Sequence, residues 1–246
     1  MEEVEHQLWL TQQFNHYLAG PANAILDAVG QSAEHADAPW QNWLVMELLV
    51  VALIMVGALA IRSTLSTQKP GFIQHLFESL YGFVKQTAEE VGMHHPEKYL
   101  GYFATVFFFI LSMNLLGMIP AFESPTMSAW VPAGIAVFTF FYYNFAGFRV
   151  NGIGYLKHFA GPIWWIAWMM FPLEIISHLI RPLSLTVRLY GNMFAGEEVT
   201  LVFIDLTKLA IPVIFMALHV FVAFVQAYVF TILTMIYVAM ATSHEH

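Results

Sequence analysis

Residues 174–198 read EIISHLIRPLSLTVRLYGNMFAGEE, with Arg181 and Arg188 set in a run otherwise apolar enough to lie in lipid. An arginine at the centre of a bilayer costs roughly 2.5–3.5 kcal/mol on insertion scales, so such a residue calls for a function. Arginine stays protonated under accessible conditions, and Arg188 therefore acts as a fixed positive charge, not as a group that releases a proton. At about 100° per residue, Glu174, Arg181 and Arg188 drift by only about 20° per seven residues and share one helical stripe, with Asn192 one turn further on. Glu197 falls on the opposite side. One helix thus carries a cationic face with a titratable acid behind it. Snorkelling of the arginines to headgroups would account for them but gives Glu197 no use.

The rest of the composition agrees with a lipid environment. Of 246 residues, 59% are hydrophobic and 11% charged, against about 25% charged in globular proteins. The mean hydropathy is +0.64, and the reading is a polytopic membrane protein. Acids concentrate in the first ninety residues, so the net charge of −8 says little about the remainder. The absence of Cys excludes disulfides, thiolate metal sites and cysteine nucleophiles. The N-terminus, MEEVEHQLWL, has acids where a secretory signal has basic residues, so no cleaved signal is expected. Trp40, Trp43, Trp130, Trp164 and Trp165 stand near expected span ends and suit an interfacial belt.

Taken in order, residues 1–42 read as an extracytoplasmic, solvated arm with breakers at Gly20-Pro21 and Pro39, and at most a short helix around 7–18. Residues 43–61 form the first span. Residues 70–92 read as an amphipathic surface helix, with Phe72, Ile73, Leu76, Leu80, Phe83, Val84 and Val91 at helical spacing. Spans follow at 100–119, with Asn114 near the outer end, and at 131–148. Arg62, Lys69, Lys85 and Lys98 lie in one loop and Arg149 and Lys157 in another, both assigned to the same face. Basic residues collect on the cytoplasmic side, which places the N-terminus outside and the C-terminus in the cytoplasm.

Residues 162–207 and 209–242 are two over-long helices. The second would run about 50 Å against a hydrocarbon core of about 30 Å, so it must tilt, kink or protrude. The expected fold is all-α and polytopic, a single membrane domain with about five membrane-inserted helices plus the surface helix, the last two forming a long tilted antiparallel hairpin. With a turn near residue 209, Glu197 comes level with about residue 221 and Gln226 with about residue 192. His219 can then approach Glu197, while Gln226 reaches the depth of Arg188 and Asn192. Carboxylate and imidazole are the groups that exchange protons near neutral pH. Glu174 lies fourteen residues from Arg188 in the other direction, about 21 Å along a helix.

The run Arg188-Leu189-Tyr190-Gly191-Asn192-Met193-Phe194-Ala195-Gly196-Glu197, preceded by Arg181-Pro182-Leu183-Ser184-Leu185, closely resembles subunit a of F-type ATP synthases. The likeness continues through His219 and Gln226 to Tyr237-Val238-Ala239-Met240-Ala241. It implies a non-catalytic membrane stator beside a ring of c subunits, attached to the subunit b stalk, in a bacterial-type plasma (inner) membrane. Two offset proton half-channels would couple proton flow to ring rotation and ATP synthesis. On that likeness Arg188 attracts the ionised ring carboxylate, and Asn192, Glu197, His219 and Gln226 serve the outer half-channel or the arginine's surroundings. Glu174 and Ser177 serve the inner one, with Arg181, Asn114 and Glu198 as further candidates. Three departures stand out: Tyr190 where Phe is common, a second acid at Glu198, and a 124–130 loop lacking the Asp or Asn often found there.

No Walker loop, GxGxxG, HExxH or GxSxG occurs, so nucleotide is expected only on other subunits of the complex, with no cofactor, metal or nucleic acid on this chain. His94-His95-Pro96 lacks ligand geometry, and His244 and His246 read as a solvated tail. A stand-alone proton-coupled secondary transporter would show repeats and paired broken helices. An intramembrane metalloenzyme would need histidines at ligand spacing. Neither pattern is present.

Overall fold

The computed structural model describes residues 7–28, 30, 37–64, 71–93, 96–119, 122–152, 154–155, 167–206 and 210–243. Lys69, His94, His95, Lys157, Trp164, Trp165, Lys208, His244 and His246, and the hairpin turn at 207–209, lie outside them. Seven long helices carry the described chain: α1 (Trp9–Ala28), α2 (Asn42–Thr64), α3 (Phe72–Glu90), α4 (Leu100–Leu116), α5 (Trp130–Asn151), α6 (Ala167–Leu206) and α7 (Ala210–Thr242). Two 3₁₀ turns, Pro96–Lys98 and Pro125–Met127, flank α4. Among the described residues there is no strand, and the architecture is all-α.

Helix α4 is apolar on every side, which suits a helix surrounded by others. Phe103, Phe107, Ile110 and Met113 recur at spacings of three and four and are fully buried. Helices α2, α3 and α7 pack around α4, while α6 and α7 both lean on α5 and on each other. Tyr102 of α4 stacks on Tyr142 of α5 at 3.7 Å between ring centroids, and its hydroxyl meets that of Thr139 at 2.9 Å. Parts of α2, α5 and α7 are long and apolar enough to cross a membrane: Asn42–Ala60, Trp130–Asn151 and Val213–Thr242. Helix α4 is a shorter apolar helix, and α6 carries the charges.

Helix α3 has two halves with different surroundings. Toward its C-terminus Val84, Thr87 and Ala88 are buried, and Phe83 lies against Phe107, Phe224 and Tyr228. Toward its N-terminus Phe72, Ile73, Leu76 and Tyr81 stay exposed. Lys85–Glu89 and His75–Glu78 contacts line its polar side. An apolar stripe with a solvated opposite face is the composition of a helix lying in a membrane interface.

The 3₁₀ turn Pro125–Met127 wedges between α2, α4, α5 and α6. Its buried hydroxyls are satisfied locally: Thr126 Oγ1 donates to Asn114 Oδ1 at 2.9 Å and Ser124 Oγ to the Met113 carbonyl at 3.1 Å. Gly117 makes room for this wedge. A Cβ there would stand 2.5 Å from Ser124 Cβ and 2.9 Å from its backbone nitrogen.

The N-terminal segment departs from the sequence reading. A solvated arm with at most a short helix was expected, yet α1 continues for 20 residues through Pro21. Proline removes a ladder donor, the one that would have reached the Tyr17 carbonyl, and next to that break the Trp40 indole donates to the Leu18 carbonyl at 3.1 Å. Asn15 fixes the same residue twice, donating from Nδ2 to the Trp40 carbonyl at 3.0 Å and accepting from its backbone N–H at 2.9 Å. The Leu8 N–H donates to Asn42 Oδ1 at 3.1 Å, where α2 begins. Asn15→Ala removes two part-buried hydrogen bonds, together about 1–3 kcal/mol. It is expected to free α1 from α2, giving faster proteolytic cleavage within residues 9–40 while the remainder of the chain stays intact.

Candidate functional site

Helix α6 places its buried side chains on one stripe: His178, Leu185, Leu189 and Met193 are buried. Arg188 is half-buried at the edge of that stripe, with Asn192 and Ala195 exposed beside it. A Cβ added at Gly191 would meet nothing within 4 Å, so the surface next to the guanidinium is open. Among the described residues Arg188 has no ion-pair partner. Arg181, seven residues earlier on the same stripe, is provided for differently: its Nη2 lies 3.8 Å from Glu174 Oε1, and its guanidinium sits 5.0 Å from the centroid of the Tyr237 ring. Ser177 is exposed nearby.

Two contacts fix the register of the hairpin. Asn192 Nδ2 donates to Gln226 Oε1 at 2.8 Å, and the His219 ring lies against Gly196, with Cε1 and Nε2 each 3.0 Å from where a Cβ would stand. Higher numbers on α6 meet lower numbers on α7, so the two helices run antiparallel. Gln226 is 3% exposed. The His219 ring lies close over Gly196, and among the described residues its buried Nε2 has no hydrogen-bond partner. Glu197 occupies the next position on α6, so depth brings the two together while orientation leaves them unbonded.

The charged groups acting on Glu197 are Glu123 and Glu198. Glu123 was not singled out from the sequence. It precedes the 3₁₀ wedge that packs on α6, so a loop residue reaches the acid on the hairpin. Asn114 is fully buried and lends its Oδ1 to Thr126 of that wedge. Glu198 is exposed.

A second polar group gathers fourteen residues before Arg188. His178 Nδ1 lies 3.8 Å from Glu174 Oε1, and Nε2 lies 3.3 Å from the Tyr155 hydroxyl. Tyr155 follows the turn that ends α5, where Gly152 adopts φ 56°, a conformation glycine takes without steric cost. Its ring crosses Gly147 so closely that a Cβ there would stand 2.7 Å from Cε2. Burial pushes the Tyr155 phenol up from its ordinary range, Arg181 opposing and Glu174 adding, so it remains a protonated donor. Among the described residues no group of three or more His, Asp or Glu could hold a metal ion.

A charged helix packed on an apolar bundle, with acids and imidazoles on either side of an arginine that has no ion-pair partner among the described residues, is the pattern of an ion-translocating membrane protein. The profile of the ATP synthase A chain family matches residues 44–239. ATP synthase subunit a of Solibacter usitatus (strain Ellin6076) is 53% identical over 234 residues, covering 95% of this chain and 100% of that protein. That of Koribacter versatilis (strain Ellin345) is 49% identical over 244 residues, covering 99% and 100%. That of Bdellovibrio bacteriovorus is 41% identical over 207 residues, covering 81% and 90%. The chain belongs to the family of ATP synthase subunit a, the F-type membrane-sector subunit, a multi-pass protein of ATP synthesis and proton transport.

The two hairpin glycines should respond oppositely to one added methyl. Gly196→Ala forces the His219 ring to shift, an overpacking worth about 1–3 kcal/mol, and is expected to lower the thermal midpoint of the detergent-solubilised complex. Gly191→Ala meets no atom and relieves the entropic cost of glycine in a helix, about 0.5–1 kcal/mol. The midpoint of the purified chain, free of other subunits, is expected to stay level or rise.

Proposed function

We propose that this chain is the membrane stator of an F-type ATP synthase, providing two offset proton half-channels with Arg188 between them. The observation that carries this reading is the half-buried Arg188, which has no carboxylate partner among the described residues and faces an open surface at Gly191. A cation in that setting is completed by an acid from another chain, and opposite charges attract strongly where the dielectric is low. The acid proposed is the carboxylate of a ring of c subunits, which Gly191 and Ala195 let approach closely.

Glu197, His219, Asn192 and Gln226 form the half-path on one side of Arg188, with Glu123 at its mouth. Glu174 with Ser177 and Arg181 forms the other. A ring carboxylate takes up a proton from the first, rotates through lipid as a neutral group, and releases it to the second when Arg188 stabilises its ionised form. Each elementary charge carried through the field releases about 2.3 kcal/mol per 100 mV. The chain holds no catalytic site of its own. Nucleotide binds to other subunits, subunit b anchors the stalk, and the N-terminus lies outside with the C-terminus in the cytoplasm of a bacterial-type inner membrane.

Arg188→Ala tests the assignment in inverted membrane vesicles containing the whole complex. The complex is expected to assemble and ATP-driven proton pumping to vanish. Glu197→Gln is expected to slow pumping without abolishing it. Normal coupled pumping by the Arg188 variant would refute the proposal.

A further inference from the structure

The hydrogen bonds around His178 have one self-consistent direction, and it starts from a backbone carbonyl. Asn144 Nδ2 donates to the Phe140 carbonyl at 2.7 Å, an arrangement only the NH₂ end of the amide can make. Asn144 Oδ1 therefore faces Tyr155, and an amide oxygen only accepts, so the Tyr155 hydroxyl donates to it at 3.1 Å. With its single hydrogen committed, the Tyr155 oxygen accepts at 3.3 Å from His178 Nε2–H. This fixes the tautomer: when the ring is neutral, Nδ1 bears the lone pair, and Nδ1 is the nitrogen facing Glu174 Oε1 at 3.8 Å. A lone pair facing an ionised carboxylate oxygen is repulsive, whereas one proton between them is attractive from either side.

Resting on the proposed function, the geometry points to a further proton-carrying residue: His178 Nδ1 and the Glu174 carboxylate share one exchangeable proton on their side of Arg188, with Tyr155 as positioning residue. The step balances within the pair. The O–H bond of protonated Glu174 breaks as the N–H bond forms at Nδ1, leaving carboxylate and imidazolium, and reversal returns the proton. The Asn144 amide ends the chain because it takes up no proton. A proton that arrives at Nδ1 leaves by Nδ1, so the pair is a store and not a wire. A small side-chain rotation of Glu174 brings the 3.8 Å separation to hydrogen-bond distance when the proton moves.

The groups facing His178 come from each packed element. Tyr143 approaches from α5, its ring centroid 5.4 Å from the imidazole. Tyr155 comes from the segment after α5, and Glu174 and Arg181 from its own helix, with Arg181 on the same Oε1. Tyr237 of α7 stands 5.8 Å from Tyr143. Glu174 is the acid among these described groups, and it is the one that stands at Nδ1.

The test measures ATP-driven proton pumping in inverted vesicles holding the whole complex, normalised to assembled complex, from about pH 5 to 8, the range in which imidazole changes charge. His178→Gln keeps a donor for Tyr155 but takes up no proton. Pumping is expected to fall by about a hundredfold, the low end of what a positioned proton-transfer group contributes, and to lose its imidazole limb. Tyr155→Phe keeps the ring over Gly147 but frees the tautomer, and is expected to shift the pH profile. A purely packing role for either residue would change the amount of complex and leave the normalised profile alone. An unchanged rate and profile in His178→Gln would overturn the inference, and if that variant does not assemble, an unchanged profile in Tyr155→Phe would do so. Arg188→Ala runs alongside: if it is inactive while His178→Gln is wild-type, only this inference falls, and if it pumps normally the proposed function falls as well.

Discussion

Holding a guanidinium away from water is costly, and the two arginines of α6 meet that cost in different ways. Arg181 is satisfied within the chain, by Glu174 on one side and the Tyr237 ring on the other. Arg188 stands seven residues later on the same stripe, half-buried beside an open glycine, with no ion-pair partner among the described residues. The bundle around it is committed to apolar packing: Leu185, Leu189 and Met193 are buried against neighbouring helices. What keeps this tolerable is the exposed side of the helix, where Asn192 and Ala195 leave space. The proposed acid from another chain would turn a standing penalty into an attraction.

That arrangement requires α6 and α7 to keep a fixed register. Helix α7 is apolar around its circumference, so hydrophobic packing alone would admit several registers. Two specific contacts choose one. The Asn192–Gln226 hydrogen bond joins the helices near the depth of Arg188, and His219 seats on Gly196, where any side chain larger than hydrogen would collide with it. Polar pairs in a poorly solvated interior are costly when mismatched, so they specify position more sharply than leucines do. The N-terminal half of α7, including Val213, Ile214, Leu218 and Phe221, is exposed. Its C-terminal half is held by α4 and α5, which anchors the hairpin at the end where Tyr237 meets Arg181.

Much of this was readable from local pattern, because helices carry their own periodicity and intramembrane charges are rare. The stripe of Glu174, Arg181 and Arg188 needed only the angle per residue, and the depth of Gln226 opposite Asn192 needed only a turn position. What escaped depended on residues far apart in sequence. Helix α1 runs on through Pro21 and is tied to the distant Trp40 by Asn15 and the Leu18 carbonyl, which no local rule reveals. Tyr155 reaches His178 only because Gly152 reverses the chain and Gly147 lacks a side chain. Glu123 reaches Glu197 through a wedge whose packing is set by Gly117 and Asn114. The depth of His219 was legible, but its close approach to Gly196 was not, since that answers to the missing Cβ and not to the helical wheel.

The same distances bear on why a stator of the proposed kind does not leak. Along α6 the two acids nearest Arg188 on either side are Glu174 and Glu197, twenty-three residues apart, or about 35 Å at helical rise. The ionisable side chains between them on that helix are His178 and Arg181, which belong to the Glu174 cluster, Arg188 itself, and the phenol of Tyr190. Arg188 does not deprotonate. The buried Leu185 and Leu189 fill the remaining space on the inner stripe. With Arg188 fixed in its charged form, the carrier in the proposed function arrives from outside the chain and passes the open face at Gly191. On the proposed reading, the fixed charge that attracts such a carrier also obliges it to give up its proton before it can pass.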